Sequence, residues 1–224
     1  MAAAPSIETM TREHELVIPT HEDVDAIGRL QVNVSVRGQG PLCLGRANDF
    51  LPPCCCTVGQ LNRTRRAYRM YAEHYPQKLS HCRIVRGASG EALGALQLTL
   101  PGDPGNMDQN PCSRHATLEG EAYVDWIACA PEAQGKGIGT KLLAWADEEA
   151  KAAGAQFLCL HVGGSNDRAA NLYQRHGLEF KPDPHVKNPG CYGCLIPPIL
   201  FCCFGGRYAS LKYMEKRLVK SEGI

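Results

Sequence analysis

The 224-residue chain predicts one α/β domain of the α+β kind, a mixed sheet of about seven strands with about four helices packed on it. Three observations carry that expectation. The length suits a single sizeable core. Apolar residues recur with strand and helix periods that alternate through the second half of the chain, which implies a partly parallel sheet with both faces covered. A glycine-rich turn, "QGKGIG" at 134–139, joins a strand to a helix.

The elements follow in order. "HELVIPT" alternates as a short first strand. Thr20 then stands as an N-cap, with acids in the first turn and Val24, Ile27 and Leu30 on one side of a helix. "RGQGPLCLGRANDFLPPCCCTVGQ" reads as a loop from its Gly and Pro content, and "LNRTRRAYRMYAEHY" as a second helix stopped by Pro76. "HCRIVRGASGEALGALQLTL" predicts a hairpin turning at 87–90. A polar loop separates it from the apolar strand "EAYVDWIACA". After Gly139 the helical period places Leu142, Leu143, Ala146 and Ala150 together, with Gly154 closing the helix. "AQFLCLHV" is a buried strand, "SNDRAANLYQRHG" a capped helix, and "LEFKP" and "YASLKYMEKRL" are the last two strands.

Composition excludes several function classes. Lys and Arg number 24 against 23 Asp and Glu, so there is no broad basic footprint for nucleic acid. The one basic cluster, "NRTRRAYRMYAEHYPQK", reads as a solvated helix face. The start "MAAAPSIETMTREHE" has neither the basic and apolar regions of a signal peptide nor the second-position glycine of a myristoylation signal. A cytoplasmic setting with most of the 12 cysteines as free thiols is therefore expected. No apolar run approaches the roughly 20 residues that cross a bilayer.

A strand running through "QGKGIG" into a helix suits an anion. The first helical N–H groups have no internal partner, the helix dipole favours negative charge there, and glycine lets a diphosphate approach the backbone. Lys136, and more distantly Lys141, add charge; a tight helix start made only for packing is the competing reading. A Walker loop needs G-x-x-x-x-G-K-S/T, which is not in the sequence. The dinucleotide fingerprint needs G-x-G-x-x-G and a following acid, and the spacing here is G-x-G-x-G with no acid after "AQFLCLHV".

Gln134-Gly135-Lys136-Gly137-Ile138-Gly139 matches Q/R-x-x-G-x-G/A, and "APE" at 130–132 precedes it. "NDRAANLYQRHGLEF" at 166–180 matches N-x-x-A-x-x-L-Y-x-x-x-G-F except for Leu178 in place of an aromatic. These two blocks, in this order, resemble the GNAT superfamily of acyl-CoA-dependent N-acyltransferases. The resemblance is strong over 121–181 and rests on element order before 110. It implies a GNAT-like fold with a mostly antiparallel sheet, and acetyl-CoA as donor to a small-molecule amine or a protein amino group.

The same resemblance implies the site. Main-chain groups of Ile127 and Cys129 are expected to hold the pantetheine arm. The amides of Gln134, Gly135, Lys136, Gly137, Ile138, Gly139 and Thr140 are expected to hold the pyrophosphate. Asn166 is read both as a cofactor contact and as an N-cap. Tyr173 falls where the family's general acid falls, against the reading of a packed aromatic. An alkylamine must lose a proton before it attacks, and Asp125, then Glu121, are the expected bases, set on one face by period two. Each is also read as a plain hydrogen-bonding carboxylate. His115 and His161 are weaker candidates for the same task. Cys129 as an acyl-carrying nucleophile is disfavoured, since direct transfer needs none. A non-catalytic acyl-CoA sensor and a transferase of longer acyl chains are the alternatives.

A Cys-rich insertion at about 182–206 separates the last two strands. Three readings stand for it: a zinc site built on "CYGC", disfavoured by the adjacent Cys202 and Cys203, so that no metal is assigned; an interfacial contact through 191–204; and a hairpin packed on the protein's own sheet or at a homodimer interface.

Overall fold

Seven strands share one sheet: β1 (Glu15–Val17), β2 (Cys82–Arg86), β3 (Ala92–Thr99), β4 (Glu121–Cys129), β5 (Phe157–Gly163), β6 (Glu179–Phe180) and β7 (Leu211–Arg217). The computed structural model describes residues 14–37, 55–104, 115, 117–164, 166–184 and 211–218. The spatial order is β1-β2-β3-β4-β5-β7-β6, with β4 and β5 parallel and the other described neighbours antiparallel. This is the mixed, mostly antiparallel sheet that the sequence predicts. Among the described residues five helices cover it: α1 (Val24–Arg37), α2 (Cys55–His74), α3 (Pro76–Ser80), α4 (Ile138–Ala152) and α5 (Asp167–Arg175).

Local chemistry explains most boundaries. The Asp23 carboxylate reaches back to accept from the Thr20 N–H at 2.8 Å, which fixes the entry to α1 through a short 3-10 turn. α2 begins at Cys55, so the tail of the expected loop, 55–60, is helical instead. Cysteine runs are not breakers, and nothing after Pro53 stops a helix except the weak opposition of Gly59. Pro76 ends α2 and then opens α3, because its ring forbids continuation of one helix and suits the first turn of the next. β6 shrinks to two residues of the expected "LEFKP".

The helices lie on both faces. Tyr68 on α2 donates to Gln97 Oε1 at 3.2 Å, so α2 covers the face that Gln97 points to. α4 covers the other face, so closely that a Cβ on Gly94 would stand 2.7 Å from Ile138 Cγ2. The predicted α4 stripe of Leu142, Leu143, Ala146 and Ala150 is buried in the same core as Leu96, Leu98, Leu158 and Leu160.

β4 has one residue more than β3 can pair. Leu98 faces Val124 and Gln97 faces Trp126, which leaves Asp125 as a bulge. The extra residue reverses the strand's parity. Tyr123 joins Cys159 and Tyr213 in a small cluster of its own, while Cys129 Sγ lies against Gly94 and Gly139 on the α4 side. Asp125 turns beneath α3, where Lys78 Nζ sits 3.0 Å from its carboxylate and both side chains are sealed from water, at 0% and 2% exposure. Lys78 also donates to Leu98 C=O at 2.6 Å and to Thr99 Oγ1, so its three ammonium protons all have acceptors.

Removing Lys78 strands a buried carboxylate. Lys78→Met is expected to cost about 3–5 kcal/mol in urea denaturation, and adding Asp125→Leu is expected to recover most of that loss.

Candidate active site

β4 and β5 pair over three positions only: Glu121 with Phe157, Ala122 with Leu158 and Tyr123 with Cys159. Beyond them β4 continues to Cys129 against β3 and β5 continues to Gly163 against β7, so the two strands part into a wedge. The Ala130 N–H donates away from the wedge, to Leu93 C=O at 2.8 Å. Main-chain groups alternate between the two edges of a strand, so those of Ile127 and Cys129 turn into the wedge. An open edge of this kind accepts an extended polar chain as an added strand.

The glycine turn lies at the wide end of the wedge. Gly135 and Gly137 have φ of 82° and 80°, a region in which any side chain is strained. Gly137 caps α4, and the first bond at the helix start runs from the Lys141 N–H to Gly137 C=O at 3.0 Å. The N–H groups of Ile138, Gly139 and Thr140 therefore have no acceptor inside the helix and form an anion-favouring mouth. Gly139 serves packing as well. A Cβ there would stand 2.8 Å from Leu172 Cδ2, so this glycine lets α4 lie against α5.

The charges at the mouth differ from the sequence reading. Lys136 is exposed on the turn, but the Lys141 ammonium bonds the His14 carbonyl. Arg168 of α5 supplies the second cation: its Nη1 donates to Gln134 Oε1 at 2.5 Å, and its Nη2 lies 3.9 Å from where a Gly135 Cβ would be. No motif marks Arg168, because only the packing of α5 beside the turn brings it there. Asn166 caps α5, its Oδ1 accepting from the Ala169 N–H at 3.2 Å. Bare backbone, two cations and an open strand edge together fit the diphosphate and extended amide arm of an acyl-CoA.

Glu121 and Asp125 do turn to one side of the sheet, and both are engaged there. Glu121 Oε2 accepts from the Leu118 N–H at 2.7 Å, and Oε1 lies 3.1 Å from His115 Nε2. Burial pushes this carboxyl up, yet those partners prevail and hold it below the ordinary carboxylate range. Burial pushes Asp125 up as well, against the pull of Lys78 and Thr99, whose Oγ1 is 2.8 Å from both carboxylate oxygens. The bulge thus gives the first-choice base a structural ion pair, which period-two counting does not reveal.

Tyr173 is 7% exposed on α5. Burial, with the neighbouring Cys129 adding to it, pushes the phenol well above its ordinary value. Burial likewise pushes the Cys129 thiol up to about 11, eased by Arg168, which makes it a poor nucleophile.

On the opposite face the structure joins residues that the sequence leaves apart. The His115 ring stacks on Tyr123 with centroids 3.7 Å apart. Tyr123 Oη is 2.9 Å from His161 Nδ1, and His161 Nε2 is 2.9 Å from Asp183 Oδ2. Tyr213 Oη donates to Cys159 Sγ at 3.0 Å alongside. The parallel register of β4 and β5 was the missing signal. Among the described residues no three His, Cys, Asp or Glu side chains converge as metal ligands. The "CYGC" and 191–204 readings lie outside the described residues. No described helix is long and apolar enough to cross a membrane.

Because its partners hold Glu121 below its ordinary range, this group stabilises the fold above the unfolded carboxylate range, and the contribution is lost as pH falls through its folded value. Glu121→Gln is therefore expected to be less stable by about 1–3 kcal/mol at neutral pH, with the gap closing on acidification when denaturation is followed at stepped pH.

Comparisons with known proteins agree with this geometry. A family profile, the acetyltransferase (GNAT) family, matches residues 54–178. Among solved structures, an acetyltransferase superposes with a TM-score of 0.56 at 21% identity, over 92% of this chain and 100% of that one. Ard1 from Thermoplasma volcanium gives 0.55 at 12% identity, over 92% and 99%. N-acetylglutamate synthase from Neisseria gonorrhoeae, solved with coenzyme A and N-acetyl-glutamate, gives 0.52 at 14% identity, over 92% of this chain and 35% of that one. No curated protein matches in sequence. At these identities the structures speak for the fold. The profile runs through both the wedge and the glycine cradle and spans more than half of the chain, and on that ground the protein belongs to the GNAT acetyltransferase family, as an acyl-CoA N-acyltransferase.

Proposed function

We propose that the protein transfers an acetyl group from acetyl-CoA to a primary amine by direct attack within a ternary complex. The observation that carries this reading is the wedge itself: strand edges open beyond Tyr123 and Cys159, with the mouth of α4 at one end. A thioester supplies an acyl group already activated toward nitrogen, so the protein's work is to bind, align and move protons. Main-chain groups of Ile127 and Cys129 hold the arm. The amides of the turn from Gln134 to Thr140 hold the diphosphate, with Lys136 and Arg168 beside them. Tyr173 donates a proton toward the departing sulfur. The acceptor is a small amine or a protein amino group, with small amines preferred.

One observation favours a second reading, a sensor that binds acyl-CoA without turnover. Both strand acids are already engaged, Asp125 by Lys78 and Glu121 by His115 and the Leu118 N–H. Calorimetry with acetyl-CoA, followed by thiol release across a panel of amines and peptides, separates the two. Binding without release supports the sensor. Release with acetyl-CoA but not with longer acyl-CoAs fixes the donor.

Two variants test the assignment. Gly137→Val places a branched side chain at positive φ in the cradle and is expected to abolish acetyl-CoA binding while costing only about 1–3 kcal/mol of stability; calorimetry and thermal melting read the two effects separately. Tyr173→Phe is expected to lower turnover about 100-fold with acetyl-CoA affinity unchanged, as steady-state kinetics beside calorimetry would show.

A further inference from the structure

A polar cluster that the proposed function does not use crosses the point where β4 and β5 stop pairing. Tyr123 is the last β4 residue bonded to β5, and His161 lies two positions past its partner Cys159, on the part of β5 that pairs only with β7. Where backbone pairing ends, the side chains of Tyr123 and His161 bridge the strands at 2.9 Å. The bridge lies on the face opposite Cys129, Gly139 and α5, and the wedge between β4 and β5 opens beside it.

Exposure rises along the chain of bonds. Tyr123 is 6% exposed, the His161 side chain 16% and the Asp183 side chain 21%. Asp183 lines a hollow of about 420 Å³ together with Lys181, Lys212 and Tyr213. The run therefore goes from a dry phenol at the wedge to a carboxylate at a surface hollow. The imidazole faces Tyr123 and His115 from the β4 side, Tyr213 from β7, and Asp183 from beyond β6. Glu121 and Cys159 lie in the next layer.

Resting on the transferase reading, we propose that Tyr123, His161 and Asp183 form the proton relay that deprotonates the acceptor amine. Neutral His161 accepts the Tyr123 proton at Nδ1 and donates its Nε2–H to Asp183. An alkylammonium gives one proton to Tyr123 Oη while Tyr123 passes its own to His161 Nδ1, and Asp183 stabilises the imidazolium until that proton leaves to solvent. The freed nitrogen pair forms the C–N bond, and the C–S bond breaks with its electrons on sulfur. Tyr173 protonates the sulfur and is itself restored by the second proton that the nitrogen sheds. In sum, one proton goes to solvent and one to the thiol. Tyr123 is the catalytic residue of the relay; His161 and Asp183 are positioning residues. Glu121, through His115 stacked on Tyr123, holds the phenol ring in place.

A brace that merely closes the vertex would show the same bonds, so the test needs a readout that bracing does not move. Ethylamine is protonated at neutral pH, whereas 2,2,2-trifluoroethylamine has nearly the same shape and is neutral. With acetyl-CoA as donor and thiol release as signal, Tyr123→Phe and His161→Gln are expected to slow ethylamine about 100-fold but trifluoroethylamine less than about threefold. Tyr123→Phe retains the stack on His115, so it remains informative if His161→Gln folds poorly. Equal losses on both amines, or no loss on either, overturn the relay and leave the transferase standing. Nitrogen-15 spectra of the resting protein are expected to show the Nε2–H tautomer of His161; the Nδ1–H tautomer overturns the relay as well. A wild-type protein that binds acetyl-CoA but acetylates neither amine nor a lysine peptide overturns the transferase reading and the relay with it.

Discussion

Two strands that run parallel for three residue pairs and then diverge leave donors and acceptors along both inner edges without strand partners, and such groups are costly to bury unless something else binds them. The outer edges of the same strands are held by β3 and β7. The opening lies inside the sheet rather than at its rim. Its walls are therefore held by two further ladders. The glycine mouth of α4 matters because it ends this opening.

The bulge at Asp125 is what turns an edge into a site. By inserting one residue it sends Tyr123 to one face and Cys129 to the other, so the wedge presents different chemistry on its two sides. An unpaired strand position is unstable unless its side chain is anchored, and here Lys78, Thr99 and the Leu98 carbonyl anchor it in a dry environment. Burying such a pair contributes little net stability over an apolar replacement. Its contribution is geometric: α3, β3 and the bulge are tied at one point. An aspartate that looks like a base in the sequence sits here in a buried ion pair with Lys78.

The two faces differ in chemistry. On the α4 side lie bare amides, Lys136, Arg168 and the buried phenol of Tyr173. On the other side lie His115, Tyr123, His161 and Asp183, in contact with one another and graded from dry to wet. Within a folded sheet, only a gap between strands connects two such surfaces.

Much of this was legible in the sequence. Short-range patterns placed all seven strands and the four longer helices, since hydrophobic period, Pro76 and the glycines at 135–139 act through neighbours in the chain. They also marked the glycine turn at the start of α4, because the geometry of a helix mouth depends only on consecutive residues. What the sequence could not decide depended on register. Asp125 differs from an ordinary strand aspartate only because β3 is one residue short opposite it, and Lys78 reaches it from a helix 47 residues away. Arg168 replaces Lys141 at the mouth because α5 packs beside the turn while Lys141 bonds the backbone ahead of β1. Tyr123 and His161 are 38 residues apart and meet only because β4 and β5 lie parallel at that point. Local spacing thus determined the fold and the glycine turn at the start of α4, while the partners of each titratable group were set by strand register and helix docking, which are global consequences of packing one core.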